Sequence, residues 1–67
     1  MPLLINDLLS DLPTPATPQA VFSFLKIENT NGFALAVNNK VIPRTKWEEM
    51  LLEENDKVII IQATQGG

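Results

Sequence analysis

Apolar positions along this chain change period several times, and each change marks an element. "PLLIN" is a short apolar run stopped by Asn6-Asp7, a pair suited to a tight turn. "LLSDLP" follows as a second strand, so the two form a hairpin. "PTPATP" breaks it, and Thr17-Pro18 opens a helix. Thr17 can cap a free backbone N–H, and Pro18 suits the first helical position. In "PQAVFSFLKIEN", Val21, Phe22, Phe24 and Leu25 share one broad face at helical spacing. "ENTNG" ends the helix, with Asn31 or Gly32 available for a left-handed turn. "FALAVNNKVIP" reads as a strand, an Asn-Asn turn and a short second strand. Pro43 closes that strand and opens a turn of helix within "RTKWEEMLLEEN". Asn55-Asp56 turns the chain again, and "KVIIIQAT" is the last strand, marked by its β-branching. The predicted order is β-β-α-β-β, a helical turn, then β, an α+β domain.

One helix can cover only one face of such a sheet. Alternate side chains of a strand point to opposite faces. Val58 and Ile60 lie on one side of the last strand, Ile59 and Ile61 on the other. Leu3 and Ile5 likewise oppose Leu4. A sheet apolar on both faces and covered on one leaves an exposed patch of the kind that partners bind. The competing expectation is that the second helical turn, around Trp47 and Leu51, folds over part of that face.

At 67 residues, 45% of them hydrophobic, the chain has room for one domain with one small core. It has no Cys and no His, which excludes disulfides, the common zinc sites, thiolate nucleophiles and imidazole bases. Gly32 stands alone, so no glycine loop cradles phosphate. A core this small leaves little space for an enzyme pocket. The net charge is −3, and the basic residues Lys26, Lys40, Arg44, Lys46 and Lys57 are scattered, which argues against nucleic acid. No apolar run is long enough to span a bilayer. "MPLLINDLL" lacks a signal peptide's basic start. The expectation is a soluble, cytoplasmic protein of a reducing compartment, monomeric when free.

The ending "QATQGG" carries the chemistry. Glycine makes up about 7% of average sequence, so a Gly-Gly end arises by chance in about one chain in 200. That is weak alone, and stronger after a strand and a polar run. The expected division is a domain over residues 1–63 and a flexible tail over 64–67. Gln65 leads to Gly66-Gly67, which lack Cβ atoms and can thread a narrow channel. The α-carboxylate of Gly67 would be the reactive group. A carboxylate is a poor electrophile and needs activation, for instance as an acyl-adenylate made from ATP. A partner would supply that catalysis.

Several stretches resemble the ThiS family of thiamin-biosynthetic sulfur carriers. They are "ALAVNNKVIPR", a Trp three residues beyond the Arg, "NDKV" opening the last strand, the final "GG" and, at the start, "LLIND". Asn55 stands where the family usually has Gly, and Asn tolerates the same left-handed turn. The resemblance implies a β-grasp fold, similar to ubiquitin, with a mixed sheet wrapped on one helix. It also implies a cycle. An adenylyltransferase similar to the ubiquitin-activating enzymes adenylates Gly67. Sulfur from cysteine, by way of a desulfurase, makes a thiocarboxylate, and thiazole synthase receives the sulfur. ATP and Mg²⁺ belong to the partner, and this chain binds no cofactor or metal of its own. In this alignment Val58 and Ile60 face the helix, while Leu4, Ile59 and Ile61 face out as partner-surface candidates.

Trp47 has two readings, a lid packing the small core or a docking residue. Arg44, after Pro43, is a solvated charge or a local carboxylate partner. Glu48, Glu49, Glu53, Glu54 and Asp56 form an acidic run, a solvated face or a surface steering an electropositive partner. Three rival functions remain at this level. They are the small subunit of molybdopterin synthase, a protein modifier joined through Gly67 to lysines, and a plain interaction module.

Overall fold

The computed structural model describes residues 1–62. It contains strands β1 (Pro2–Ile5), β2 (Leu8–Asp11), β3 (Phe33–Val37), β4 (Lys40–Val41) and β5 (Lys57–Gln62), one helix α1 (Pro18–Phe24), and a 3-10 turn (Arg44–Lys46). The five strands form one mixed sheet in the order β2-β1-β5-β3-β4. β5 is central, parallel to β1 and antiparallel to β3.

Both hairpins follow from asparagine chemistry. Ile5 pairs with Leu8, and Val37 with Lys40, which leaves two-residue loops. Asn6 and Asp7 have φ of 49° and 68°, and Asn38 and Asn39 have 50° and 72°. Positive φ at both loop residues matches the right-handed twist of the flanking strands. The β5 strand is described as far as Gln62. Its expected continuation through Ala63 and Thr64, and the tail from residue 64 on, lie outside the described residues.

The helix is shorter than the sequence pattern predicts. Thr17 caps it, its Oγ1 accepting from Ala20 N–H at 3.2 Å. It ends at Phe24, not in "ENTNG", because Lys26 turns to φ 61°. The Ile27 N–H then reaches the Phe22 carbonyl at 2.9 Å, and the Lys26 N–H the Ser23 carbonyl at 3.0 Å. This pair of bonds closes the helix as a Schellman motif, and it returns half-buried Ile27 to the core beside Phe22. Lysine gives no sequence signal for this cap. Gly32 does take positive φ, 85°, but it stands one residue before β3 and caps no helix.

The core lies between the sheet and α1. Leu3, Ile5, Leu35, Val37 and Val58 supply it from the strands, and Val21 and Phe22 from the helix. The long segment between β4 and β5 forms only the 3-10 turn and then runs irregularly. Backbone bonds that hold it against α1 and the loop before α1 include Gln19 N–H to Trp47 O at 3.0 Å and Leu52 N–H to Ala16 O at 2.8 Å, and Asn55 N–H reaches Pro2 O of β1 at 2.7 Å. Leu12 and Leu52 therefore close the core from loops.

Candidate functional site

The sheet face opposite α1 is built by register. Leu9 pairs with Leu4, Leu4 with Lys57, Ala36 with both Ile59 and Val41, and Ala34 with Ile61. Cross-strand partners share a face, so these residues form one surface across all five strands. It is mostly apolar, with Lys57 and, at the edge of β2 opposite Pro2, Asp11 as its charged members. Leu4 and Ile59 are half-buried, and Ile61, Leu9 and Val41 are 47%, 73% and 64% exposed. The core-side residues of β5 are Val58, fully buried, and Ile60, half-buried and packed on the core. This is the expected assignment of faces. Leu9 and Val41 were not singled out from the sequence. The hairpin registers placed at Asn6-Asp7 and Asn38-Asn39 would have put them opposite Leu4 and Ala36.

Trp47 does not belong to this surface. It is 2% exposed and lies on the helix side of the sheet, so its reading as a docking residue is corrected to that of a core lid. The Phe22 and Trp47 rings stack with centroids 4.7 Å apart, and Phe33 meets Phe22 edge-on at 5.9 Å. The indole N–H donates to the Ile42 carbonyl at 2.9 Å, satisfying the polar atom that its burial would otherwise strand. Because the turn packs beside α1 and Leu51 is 63% exposed, this segment does not cover the outer face.

Arg44 has local partners of a different kind from the carboxylate expected. Its guanidinium lies 5.0 Å from the Trp47 ring centroid and donates to Thr30 Oγ1 and the Thr30 carbonyl, both at 2.9 Å. It ties the α1–β3 loop over the aromatic stack. In the acidic run, Asp56 is partly used by the fold. It accepts from Glu53 N–H at 2.8 Å and from Asn38 Nδ2 at 3.0 Å. Glu48, Glu49, Glu53 and Glu54 are exposed. Among the described residues no group of three or more acidic, His or Cys side chains could hold a metal ion. No helix among them is long and apolar enough to cross a membrane.

The reactive group expected from the sequence, the Gly67 carboxylate, lies outside the described residues, as do Gln65 and Gly66. The described part places the strand leading to them at the centre of the sheet, with Ile59 and Ile61 on its outer face.

Comparison with known proteins fits this geometry. The chain is 27% identical to the "Sulfur carrier protein ThiS" of Escherichia coli (strain K12), over the whole of both chains. The crystal structure of a thiamine biosynthesis protein (ThiS) from Geobacter metallireducens superposes with a TM-score of 0.83 at 20% identity, covering both chains fully. A solution structure of a thiamine biosynthesis protein from the same organism gives 0.79 at 22% identity, over all of this chain and 88% of that one. These likenesses show the β-grasp fold. The model of the ThiS family matches residues 3–67, the Gly-Gly end included, and the chain belongs to that family.

Proposed function

We propose that this chain is a sulfur carrier of thiamin biosynthesis, acting as a co-substrate of partner enzymes through Gly67. The observation that carries the reading is the family match running through residue 67, on a fold whose central strand points into that end. An adenylyltransferase similar to the ubiquitin-activating enzymes, using ATP and Mg²⁺, joins the Gly67 carboxylate oxygen to the α-phosphate and releases pyrophosphate. A desulfurase takes sulfur from cysteine as a persulfide, whose terminal sulfur attacks the acyl-adenylate and expels AMP. A thiol such as excess cysteine then cleaves the resulting acyl disulfide by exchange, itself entering a disulfide, and the end becomes a thiocarboxylate, which gives its sulfur to thiazole synthase. Leu4, Ile59 and Ile61, with Leu9 and Val41, form the docking face for these partners. An apolar sheet face serves this purpose because its burial is non-directional and successive partners can reuse it.

The test is intact mass after incubation with adenylyltransferase, ATP, desulfurase and cysteine. The expected result is a gain equal to sulfur replacing oxygen, located on Gly67 and lost on adding thiazole synthase with its substrates. A thiocarboxylate that thiazole synthase cannot discharge would overturn the thiazole assignment. No modification with competent activating enzymes would overturn the carrier reading altogether.

A further inference from the structure

Two asparagines from the two hairpin turns hold β5 from its two sides, Asn38 at the strand's first residue and Asn6 at its middle, each with its backbone N–H and its carboxamide oxygen. The Asn38 N–H donates to the Lys57 carbonyl at 2.7 Å, and its Oδ1 accepts from the Lys57 N–H at 3.0 Å. The Asn6 N–H donates to the Val58 carbonyl at 2.9 Å, and its Oδ1 accepts from the Ile60 N–H at 2.8 Å. The registers explain the choice of atoms. Leu4 pairs with Lys57 and Ile5 with Val58, so Asn6 falls opposite Ile59. A residue of a parallel strand at that place would donate to Val58 and accept from Ile60 with its own carbonyl. Asn6 has already turned to φ 49° for the hairpin, and its carboxamide oxygen takes the carbonyl's place. The side chain thus extends the parallel ladder one step past the end of β1.

That step falls where β5 loses one flank. Among the described residues, β5 beyond Ile60 is paired with β3 alone, through Ile61 with Ala34 and Gln62 with Phe33. Seven residues, 61–67, follow Ile60. Drawn out in a partner's channel, seven residues reach at most about 24 Å. A displacement of about 1 Å in where the strand leaves the sheet is already as much as near-attack geometry tolerates.

We infer that Asn6 is a positioning residue for the reactive end: its carboxamide fixes where β5 parts from β1 and so aims the last residues at the activating centre. This rests on the proposed activation of Gly67. Asn6 touches no reacting atom and acts through the Ile60 amide.

Three variants test it. Asn6→Gly keeps the positive φ and removes the acceptor. Asn6→Asp keeps both. Asn38→Gly removes the corresponding carboxamide bond at Lys57, where β5 begins. Amide exchange at Ile60 should quicken about tenfold in Asn6→Gly, as for the loss of one hydrogen bond, and change little in Asn6→Asp. With the adenylyltransferase that activates the wild-type chain, kcat should fall about tenfold in Asn6→Gly, with KM for the carrier within about twofold because the docking face is intact. Asn6→Asp should restore kcat, and Asn38→Gly should leave it unchanged despite its own loss of stability. An unchanged kcat in Asn6→Gly, or an equal fall in Asn38→Gly, would overturn the positioning role. If the wild-type chain is not adenylated, the functional reading fails and this role with it. Ile60 exchange would then still show whether the tether exists as a structural bond.

Discussion

Phe22 of α1 and Trp47, which follows the 3-10 turn, stack face to face at 4.7 Å with their planes 30° apart. This contact joins the helix to the irregular segment that closes the core. Trp47 also reaches the residue that follows β4, through its bond to the Ile42 carbonyl. Truncating it opens a cavity under the lid and strands that carbonyl. Trp47→Ala should cost about 3–5 kcal/mol and leave a domain of this size largely unfolded. Trp47→Phe retains the stack and loses the hydrogen bond, so it should cost about 1–2 kcal/mol. Thermal and urea unfolding followed by far-UV circular dichroism would measure both.

Arg44 covers the outer side of the same stack. Lysine can supply the charge but not a planar fork that bonds both Thr30 oxygens while lying over an indole. Arg44→Lys should lower stability by about 0.5–1 kcal/mol. Trp47 is the one tryptophan of the chain, so its fluorescence reports this site alone. The emission should shift to longer wavelength in the variant as water gains the ring face. An unshifted spectrum would mean that the guanidinium does not shield the ring.

The two ends of α1 should respond in opposite directions. Thr17→Ala removes the cap acceptor for Ala20 N–H and should cost about 1 kcal/mol. Lys26 stands at φ 61°, where a Cβ is disfavoured. Lys26→Gly should stabilise by about 0.5–1 kcal/mol, because the strain relieved exceeds the added freedom of the unfolded chain. Denaturant midpoints of both variants against wild type decide the matter.

The outer face separates partner binding from folding. Ile61 is about half exposed and lies opposite Ala34, away from the core. Ile61→Asp should change stability by no more than about 0.5 kcal/mol. It should weaken productive docking with the adenylyltransferase about tenfold or more, since it buries an unpaired charge in an apolar contact. The measurement is KM for the carrier in adenylation, beside a melting curve. Equal KM in variant and wild type would remove Ile61 from the docking face.

Much of this was legible in the chain itself. Asn-Asp and Asn-Asn pairs between apolar runs specify two-residue hairpins, because few residues tolerate positive φ twice in succession. Thr17-Pro18 specifies the helix start, and alternation in "VIII" assigns the faces of β5. Those are local preferences, felt within a few residues. The extent of α1 was not legible, because its stop depends on Ile27 returning to the core and holding a lysine in a disfavoured conformation. Leu9 and Val41 were legible as outer-face residues, since two-residue turns at Asn6-Asp7 and Asn38-Asn39 fix registers that set them opposite Leu4 and Ala36.

The amino-acid sequence by itself determined the element order, the two tight turns and the two apolar faces of the central strand. The tertiary structure decided which apolar residues are buried and which are presented. It placed Trp47 under Arg44 in the core instead of on the outer face of the sheet. It also recruited Asn6 to Ile60, 54 residues away. The physical reason is range. Backbone preferences act between near neighbours, whereas burial and the pairing of a turn's carboxamide with a distant strand exist only after the sheet has assembled.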